Sequence, residues 1–154
     1  MGNGKKPKTV VSKEKVDVKK TVINTENPDY YKTQNPIWSF KMFDKTGSDW
    51  PICKKNQDSI ECIIEKLISY EGMTWAEIDK ASGGRKAGNN SHFENVSKLA
   101  KEAQRRWREL NLEEYSEVYS LRLQGTHRLF GILHGNVFNV IWYDNNHRIY
   151  GMSS

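Results

Sequence analysis

The strongest constraint on the fold lies in residues 119–144, where apolar and polar side chains alternate in three short runs. Glycine-containing turns separate these runs, at Gly125-Thr126 and at Gly135-Asn136. Alternating β-branched and aromatic residues are typical of strands, and neighbouring strands joined by short turns pair antiparallel. The pattern therefore predicts a three-stranded antiparallel meander near the end of the chain.

The lengths of the two turns predict which side chains share a face of the sheet. A two-residue Gly-Asn turn pairs Leu133 with Phe138, and further along the same hairpin it opposes Leu129 and Trp142. A three-residue loop after Gln124 keeps the leucines of the preceding strand on that apolar face. The opposite face then collects Ser120, Arg122, Gln124, Arg128, His134, Asn139 and Tyr143.

Upstream of the meander, the periodicity of apolar residues predicts one strand and two to three helices. The strand is expected over residues 36–44, and the helices over 58–71, from Thr74 to before Gly83, and over 96–110. The first helix is expected to bury Ile60, Ile63, Ile64, Leu67 and Ile68. This order predicts an α+β fold in which the helices cover one face of the meander and the other face is partly free.

Charge and composition divide the chain into two parts. Residues 1–34 contain eight lysines and four acids without apolar periodicity, which predicts a disordered basic tail before a single domain over residues 35–154. All seven arginines occur at or after position 85, so the C-terminal half is the expected docking region for an anion. We found neither a signal peptide nor a membrane-length apolar run, and therefore expect a cytoplasmic protein that does not bind membranes.

A cationic strip follows one side of the third predicted helix. Its members are Lys98, Lys101, Arg105 and Arg108. Such a strip is expected to bind the backbone of a nucleic acid, although a solvated helix face is the simpler interpretation.

Two stretches resemble a known family: Leu121-Arg-Leu-Gln-Gly-Thr-His-Arg-Leu-Phe-Gly-Ile132 and Ile141-Trp-Tyr-Asp-Asn-Asn-His-Arg-Ile-Tyr150. With the predicted order of elements, they resemble the RelE/ParE superfamily of bacterial type II toxins. Most members are mRNA interferases that cleave RNA, often on the ribosome, and a minority inhibit DNA gyrase. They pair with an antitoxin protein that blocks the basic face. The resemblance thus implies RNA and a cognate antitoxin as partners.

The resemblance also implies roles for single residues. Arg122 and Arg128 match the arginines that surround the scissile phosphate, and His147 and Tyr150 match C-terminal residues used for proton transfer or base stacking. The general base of these enzymes has no counterpart on the first predicted meander strand. His92 precedes the third predicted helix and is a further candidate for proton transfer.

Tyr143 lies opposite Arg128 in the predicted register and completes the expected nucleic-acid surface. Cys53 and Cys62 lack metal-ligand spacing, and zinc-binding histidine motifs are missing from the sequence, so we expect neither a metal nor a cofactor.

Two further interpretations remain open. A non-catalytic module of the same fold, binding nucleic acid or protein, is compatible with the same residues and includes the gyrase-inhibitor type. A helix-turn-helix DNA binder built from the second and third predicted helices is less favoured, because more than a dozen residues separate these helices.

Overall fold

The computed structural model describes residues 27–46, 57–81 and 91–150. These residues form five strands and three α-helices in the order β1 Ile37–Ser39, α1 Gln57–Glu71, α2 Trp75–Lys80, β2 His92–Asn95, α3 Lys101–Glu109, β3 Glu117–Arg122, β4 Arg128–His134 and β5 Val137–Asp144. Of the predicted tail, residues 1–26 lie outside the described residues, whereas Tyr30–Thr33 form a 3-10 helix whose Tyr31 packs against the core.

The strands form one mixed sheet in the order β1-β5-β4-β3-β2. The predicted three-stranded architecture is therefore wrong, although β3, β4 and β5 do pair antiparallel in sequence. β1 extends the sheet by pairing parallel with β5, and β2 extends it by pairing antiparallel with β3. β2 escapes a search for alternation because it has only four residues and a single apolar side chain, Phe93.

Helices cover both faces of the sheet, which corrects the prediction of one covered face. On the face that we call the α1 face, α1 and α2 pack on a cluster formed by Ile63, Leu67, Tyr70, Trp75, Ile78, Tyr119, Leu121, Leu123, Leu129, Phe138, Val140 and Tyr143. On the opposite α3 face, α3 and the chain after β5 pack on Leu99, Ala103, Trp107, Leu112, Val118, Phe130, Ile132, Ile141, Trp142 and Ile149. The central strands are apolar on both sides, and both sides must be shielded from water.

A β-bulge in the β4–β5 hairpin decides which aromatic side chains reach each face. Leu133 pairs with Phe138, as the Gly-Asn turn predicts, but the register shifts between Phe130 and Gly131. Gly131 lies at this shift. A Cβ on this residue would lie 2.1 Å from the carbonyl oxygen of Asn139. This close approach of two backbones admits glycine and no larger residue.

The bulge reverses the faces of the last residues of β5. Phe130 pairs with Trp142, and Leu129 pairs with Tyr143. The predicted pairing of Leu129 with Trp142 is therefore wrong. Trp142 lies on the α3 face and Tyr143 on the α1 face.

The loop between β3 and β4 is longer than predicted. Arg122 pairs with Arg128, which leaves five residues, 123–127, in the loop instead of three. Leu121 consequently pairs with Leu129 and not with Gly131. Because both loop lengths are odd, the leucines of β3 still lie on the same face as Leu129.

Two helices differ in detail from their predictions. α1 buries Ile63, Leu67 and Tyr70, but it exposes Ile60, Ile64 and Ile68, at 37%, 47% and 61% respectively. The expected third helix begins as a separate 3-10 helix at Val96–Lys98, and α3 begins only at Lys101. Because β2 lies between α2 and α3, a helix-turn-helix unit of these helices is excluded.

Candidate functional site

Two arginines stand side by side at the end of the β3–β4 hairpin. Arg122 and Arg128 are cross-strand partners, so their side chains leave the sheet on the same face, as predicted. Alternation from Val118 along β3 identifies this as the α3 face. On the next strand, Asp144 is the partner of Arg128. A row of two guanidinium groups and one carboxylate therefore crosses three strands.

Arg128 is buried and holds the hairpin loop. Its side chain donates hydrogen bonds from Nη1 to the carbonyl oxygens of Gly125, at 2.8 Å, and His127, at 3.0 Å. Burial and the neighbouring charge of Arg122 lower the pKa of the Arg128 guanidinium. Arg128 thus fixes the conformation of the loop and adds positive charge beneath it.

The backbone of Arg122 is anchored from two directions. Its amide donates to Ser91 Oγ at 2.9 Å, and its carbonyl accepts a hydrogen bond of 2.7 Å from the Tyr70 hydroxyl. Tyr70 belongs to α1 and Ser91 precedes β2, so the helix layer and the sheet edge both position this residue. The half-buried side chain of Arg122 therefore starts from a fixed point.

His92 reaches the same face from the edge strand β2. It is the cross-strand partner of Ser120, which lies two residues before Arg122 on β3. Such diagonal neighbours lie roughly 7–8 Å apart, and their Cβ atoms are somewhat closer. The His92 ring also contacts the Tyr150 ring, with a centroid distance of 6.0 Å. The structure therefore brings together three of the predicted catalytic residues, His92, Arg122 and Tyr150.

Glu94 completes this group and was missed by the sequence analysis. Its carboxylate lies 3.7 Å from His92 Nε2 and 3.4 Å from Lys98 Nζ. Burial by itself raises the pKa of Glu94, but hydrogen bonds from the Tyr150 hydroxyl and the Asn95 backbone, with the charge of Lys98, outweigh burial and lower the pKa overall. The alternation of His92 and Glu94 around Phe93 was the available sequence signal for this pair.

The loop after β5 carries Tyr150 across the sheet to β2. Asp144 accepts hydrogen bonds from the backbone amides of Asn146, at 3.0 Å, and Ile149, at 2.8 Å. Ile149 in turn accepts a hydrogen bond of 2.8 Å from the Ala100 amide, before α3. Asp144 therefore shapes the loop that delivers Tyr150 to the pair of His92 and Glu94.

His147 and Tyr143, the remaining predicted site residues on the sheet, have different positions. His147 is half-buried in the loop after β5, with a φ of 55°. Within residues 91–150, its side chain takes no part in the contacts that join His92, Glu94 and Tyr150.

Tyr143 is buried on the α1 face, where its hydroxyl is hydrogen-bonded to Nδ1 of His127. The prediction that it lines a nucleic-acid surface beside Arg128 is wrong, because the bulge turns it to the opposite face.

The predicted cationic strip is exposed, but two of its members contact acids. Lys101, Arg105 and Arg108 project from α3 into solvent. Arg105 Nε lies 3.8 Å from Glu109, and Lys98 lies outside α3, beside Glu94. Lys98 therefore links the strip to the carboxylate beside His92.

Comparison of the chain with protein-family models, curated proteins and solved structures gives no match. Among the described residues, every helix is too short or too polar to cross a membrane.

Proposed function

We propose that the protein is an endoribonuclease whose site is formed by His92, Glu94, Arg122, Arg128 and Tyr150. The observation that carries this proposal is the placement of a carboxylate–imidazole pair beside two cross-strand arginines on one sheet face. Cleavage of RNA by side chains needs a proton acceptor for the ribose 2′-hydroxyl, positive charge at the phosphate, and a proton donor for the leaving oxygen.

His92 is the proposed proton acceptor. Imidazole titrates near neutral pH, and the Glu94 carboxylate, 3.7 Å away, stabilises the charged ring that forms when it takes the proton. The lowered pKa of Glu94 keeps this carboxylate ionised at neutral pH. Tyr150 donates its hydroxyl hydrogen to Glu94 and packs against the ring of His92, which restricts both groups to one arrangement.

Arg122 supplies the charge at the phosphate. When the 2′-oxygen attacks, negative charge accumulates on the non-bridging oxygens of a five-coordinate phosphorus, and a prepositioned guanidinium stabilises that charge. The two backbone hydrogen bonds of Arg122 support this role, because they fix the point from which its side chain extends. Arg128 supports it by holding the loop and by adding a second positive charge.

The remaining predicted residues complete the proposal. His147, in the loop that Asp144 shapes, is the proposed donor of the proton to the leaving 5′-oxygen. The RNA backbone would follow Lys101, Arg105 and Arg108 on α3. A cytoplasmic location, a place among RelE/ParE-like toxins, action on ribosome-bound messenger RNA and a cognate antitoxin belong to the same proposal.

The test is cleavage of single-stranded RNA by the purified chain with EDTA present. Arg122→Ala should remove about 3–4 kcal/mol of transition-state stabilisation, a rate decrease of roughly 10²–10³-fold. His92→Ala and His147→Ala should lower the rate as well, while His134→Ala, an exposed histidine at the far end of β4, should leave it unchanged. If the Arg122, His92 and His147 variants all cleave RNA at the rate of the wild type, this site is refuted. RNA binding without cleavage by the wild type would indicate a non-catalytic binding module.

A further inference from the structure

A cavity of about 260 Å³ opens beside Arg122, between α1, the end of α2 and the β3–β4 loop. Its described lining consists of Lys66, Tyr70, Ala81, Arg122, Leu123, Gln124 and Gly125. Neither the sequence motifs nor the proposed chemistry uses this cavity. Its volume is sufficient for a phosphate group with part of its ester.

The cavity is positively charged. Lys66 and Arg122 are its ionised lining residues, and none of the described lining residues is acidic. Lys66 Nζ lies 4.8 Å from the centroid of the Tyr70 ring, so the ammonium group is held over an aromatic face. A cavity whose described lining has two basic residues and no acid favours an anion.

Tyr70 contacts the side chain of Lys66 and the backbone of Arg122. Its hydroxyl donates to the Arg122 carbonyl at 2.7 Å, while its ring contacts Lys66. Burial raises the pKa of the Tyr70 hydroxyl, and the charges of Arg122 and Arg128 oppose that rise. Loop residue Gly125 is also fixed, because its carbonyl accepts the hydrogen bond from Arg128.

We infer that this cavity is a second phosphate subsite, which holds a backbone phosphate of the RNA next to the one that is cleaved. The inference rests on the proposed ribonuclease function. Arg122 ends β3 and lines the cavity on the α1 side, whereas its side chain leaves the sheet on the α3 face that carries His92, so the two places adjoin around this end of the sheet and successive phosphates of one RNA strand can reach both. Lys66 would bind the second phosphate, since an ammonium group is a compact partner for phosphate oxygens.

Inorganic phosphate is the first probe, because it tests the cavity without any cleavage. We would titrate the ¹⁵N-labelled full chain at constant ionic strength, with chloride replaced by phosphate, and follow the amide signals of Gln124 and Gly125. Saturable shifts are expected. Lys66→Gln should weaken binding about tenfold, the loss expected of one direct charge contact, whereas Lys41→Gln, at an exposed lysine outside the cavity, should not. Shifts that do not saturate, or that Lys66→Gln leaves unchanged, would overturn the inference.

A short RNA is the second probe, and it decides whether the phosphate belongs to the substrate. Lys66→Gln should raise KM for a trinucleotide about tenfold and leave kcat unchanged, because Lys66 contacts the RNA equally before and during the reaction. A KM that does not change would overturn the assignment to RNA even if free phosphate binds. Phosphate binding by a chain that cleaves no RNA would refute the proposed function, independently of the cavity's affinity for an anion.

Discussion

The buried carboxylate of Glu94 connects the imidazole of His92 with the hydroxyl of Tyr150. Folding lowers its pKa below the ordinary value of 4.5. The ionised carboxylate therefore stabilises the folded protein above that ordinary value, and this stabilisation is lost as the pH falls through the lower folded pKa. In the proposed reaction, the same charge stabilises protonated His92.

Substitution of Glu94→Gln tests this charge through the pH dependence of stability. The variant should lose free energy of unfolding at about pH 7, and the difference from the wild type should shrink at about pH 3. Urea denaturation at the two pH values measures both quantities. An equal difference at both would show that the contacts of Glu94 do not depend on its ionisation.

Gly131 is the residue that permits the bulge. Gly131→Ala should destabilise the protein by roughly 3 kcal/mol or more, because the added Cβ would collide with the Asn139 carbonyl and the hairpin must shift. Gly135→Ala is the matched control. Its Cβ would meet nothing within 4 Å, so only its positive φ of 57° contributes, at a cost of about 1–2 kcal/mol. Thermal or urea unfolding compares them, and similar losses would contradict the steric explanation.

Alternation of apolar and polar residues could not predict which sheet face the residues of β5 beyond this bulge occupy. Leu133 and Phe138 follow from the turn beside them, because a two-residue turn fixes the register locally. Past the bulge, β5 is apolar on both faces of the sheet, because Ile141, Trp142 and Tyr143 are all buried. The apolar pattern therefore does not show which face each of these residues occupies. Tyr143 was therefore assigned to the wrong face, while Arg122 and Arg128, on strands joined by an odd-length loop, were assigned to the same face correctly.

At the scale of elements, one buried carboxylate ties α3 to the sheet. Asp44 accepts hydrogen bonds from Arg106 Nε at 2.9 Å and Nη2 at 2.7 Å, and from Trp142 Nε1 at 3.0 Å. Asp44 itself follows β1, and its two partners belong to α3 and β5. Hydrogen bonds to Asp44 and Glu109 raise the pKa of Arg106 further above its already high ordinary value, so it stays charged.

Asp44→Ala should destabilise the protein by about 3–5 kcal/mol, because it leaves the Arg106 charge and the Trp142 indole without their shared acceptor. Glu109→Gln is the control. Glu109 also accepts from Arg106, at 3.0 Å, but it is half exposed, so its substitution should cost about 1 kcal/mol or less. Denaturant titration measures the two losses. Comparable losses would contradict the assignment of Asp44 as the principal tie between α3 and the sheet.

The bounds of α2 follow from local sequence, whereas the start of α3 depends on a contact with a distant residue. The residues of α2 follow from its capping box, in which Thr74 and Glu77 bond each other's backbone amides. The start of α3 does not follow from periodicity, because the Ala100 amide bonds to Ile149, a residue far along the chain. Such long-range contacts also hold α3 on the α3 face of the sheet, which was expected to be partly free.

At the scale of the whole molecule, the proposed path of RNA along α3 has an electrostatic consequence. Each of Lys101→Gln, Arg105→Gln and Arg108→Gln should weaken RNA binding and reduce the slope of log affinity against log salt by about 0.7, the value for one phosphate contact on a single strand. Glu102→Gln, on the same exposed helix, should not weaken binding. A salt slope that stays constant in all three cationic variants would place the RNA elsewhere.

The chemistry of the products tests the ribonuclease proposal most directly. The purified chain should be incubated, with EDTA present, with a single-stranded RNA and with the DNA of the same sequence. If His92 activates the ribose 2′-hydroxyl beside Arg122, the RNA alone is cleaved, its fragments end in 2′,3′-cyclic phosphate and 5′-hydroxyl groups, and Arg122→Ala lowers the rate roughly 10²–10³-fold. No cleavage of the RNA, or equal cleavage of the DNA, would contradict the proposal.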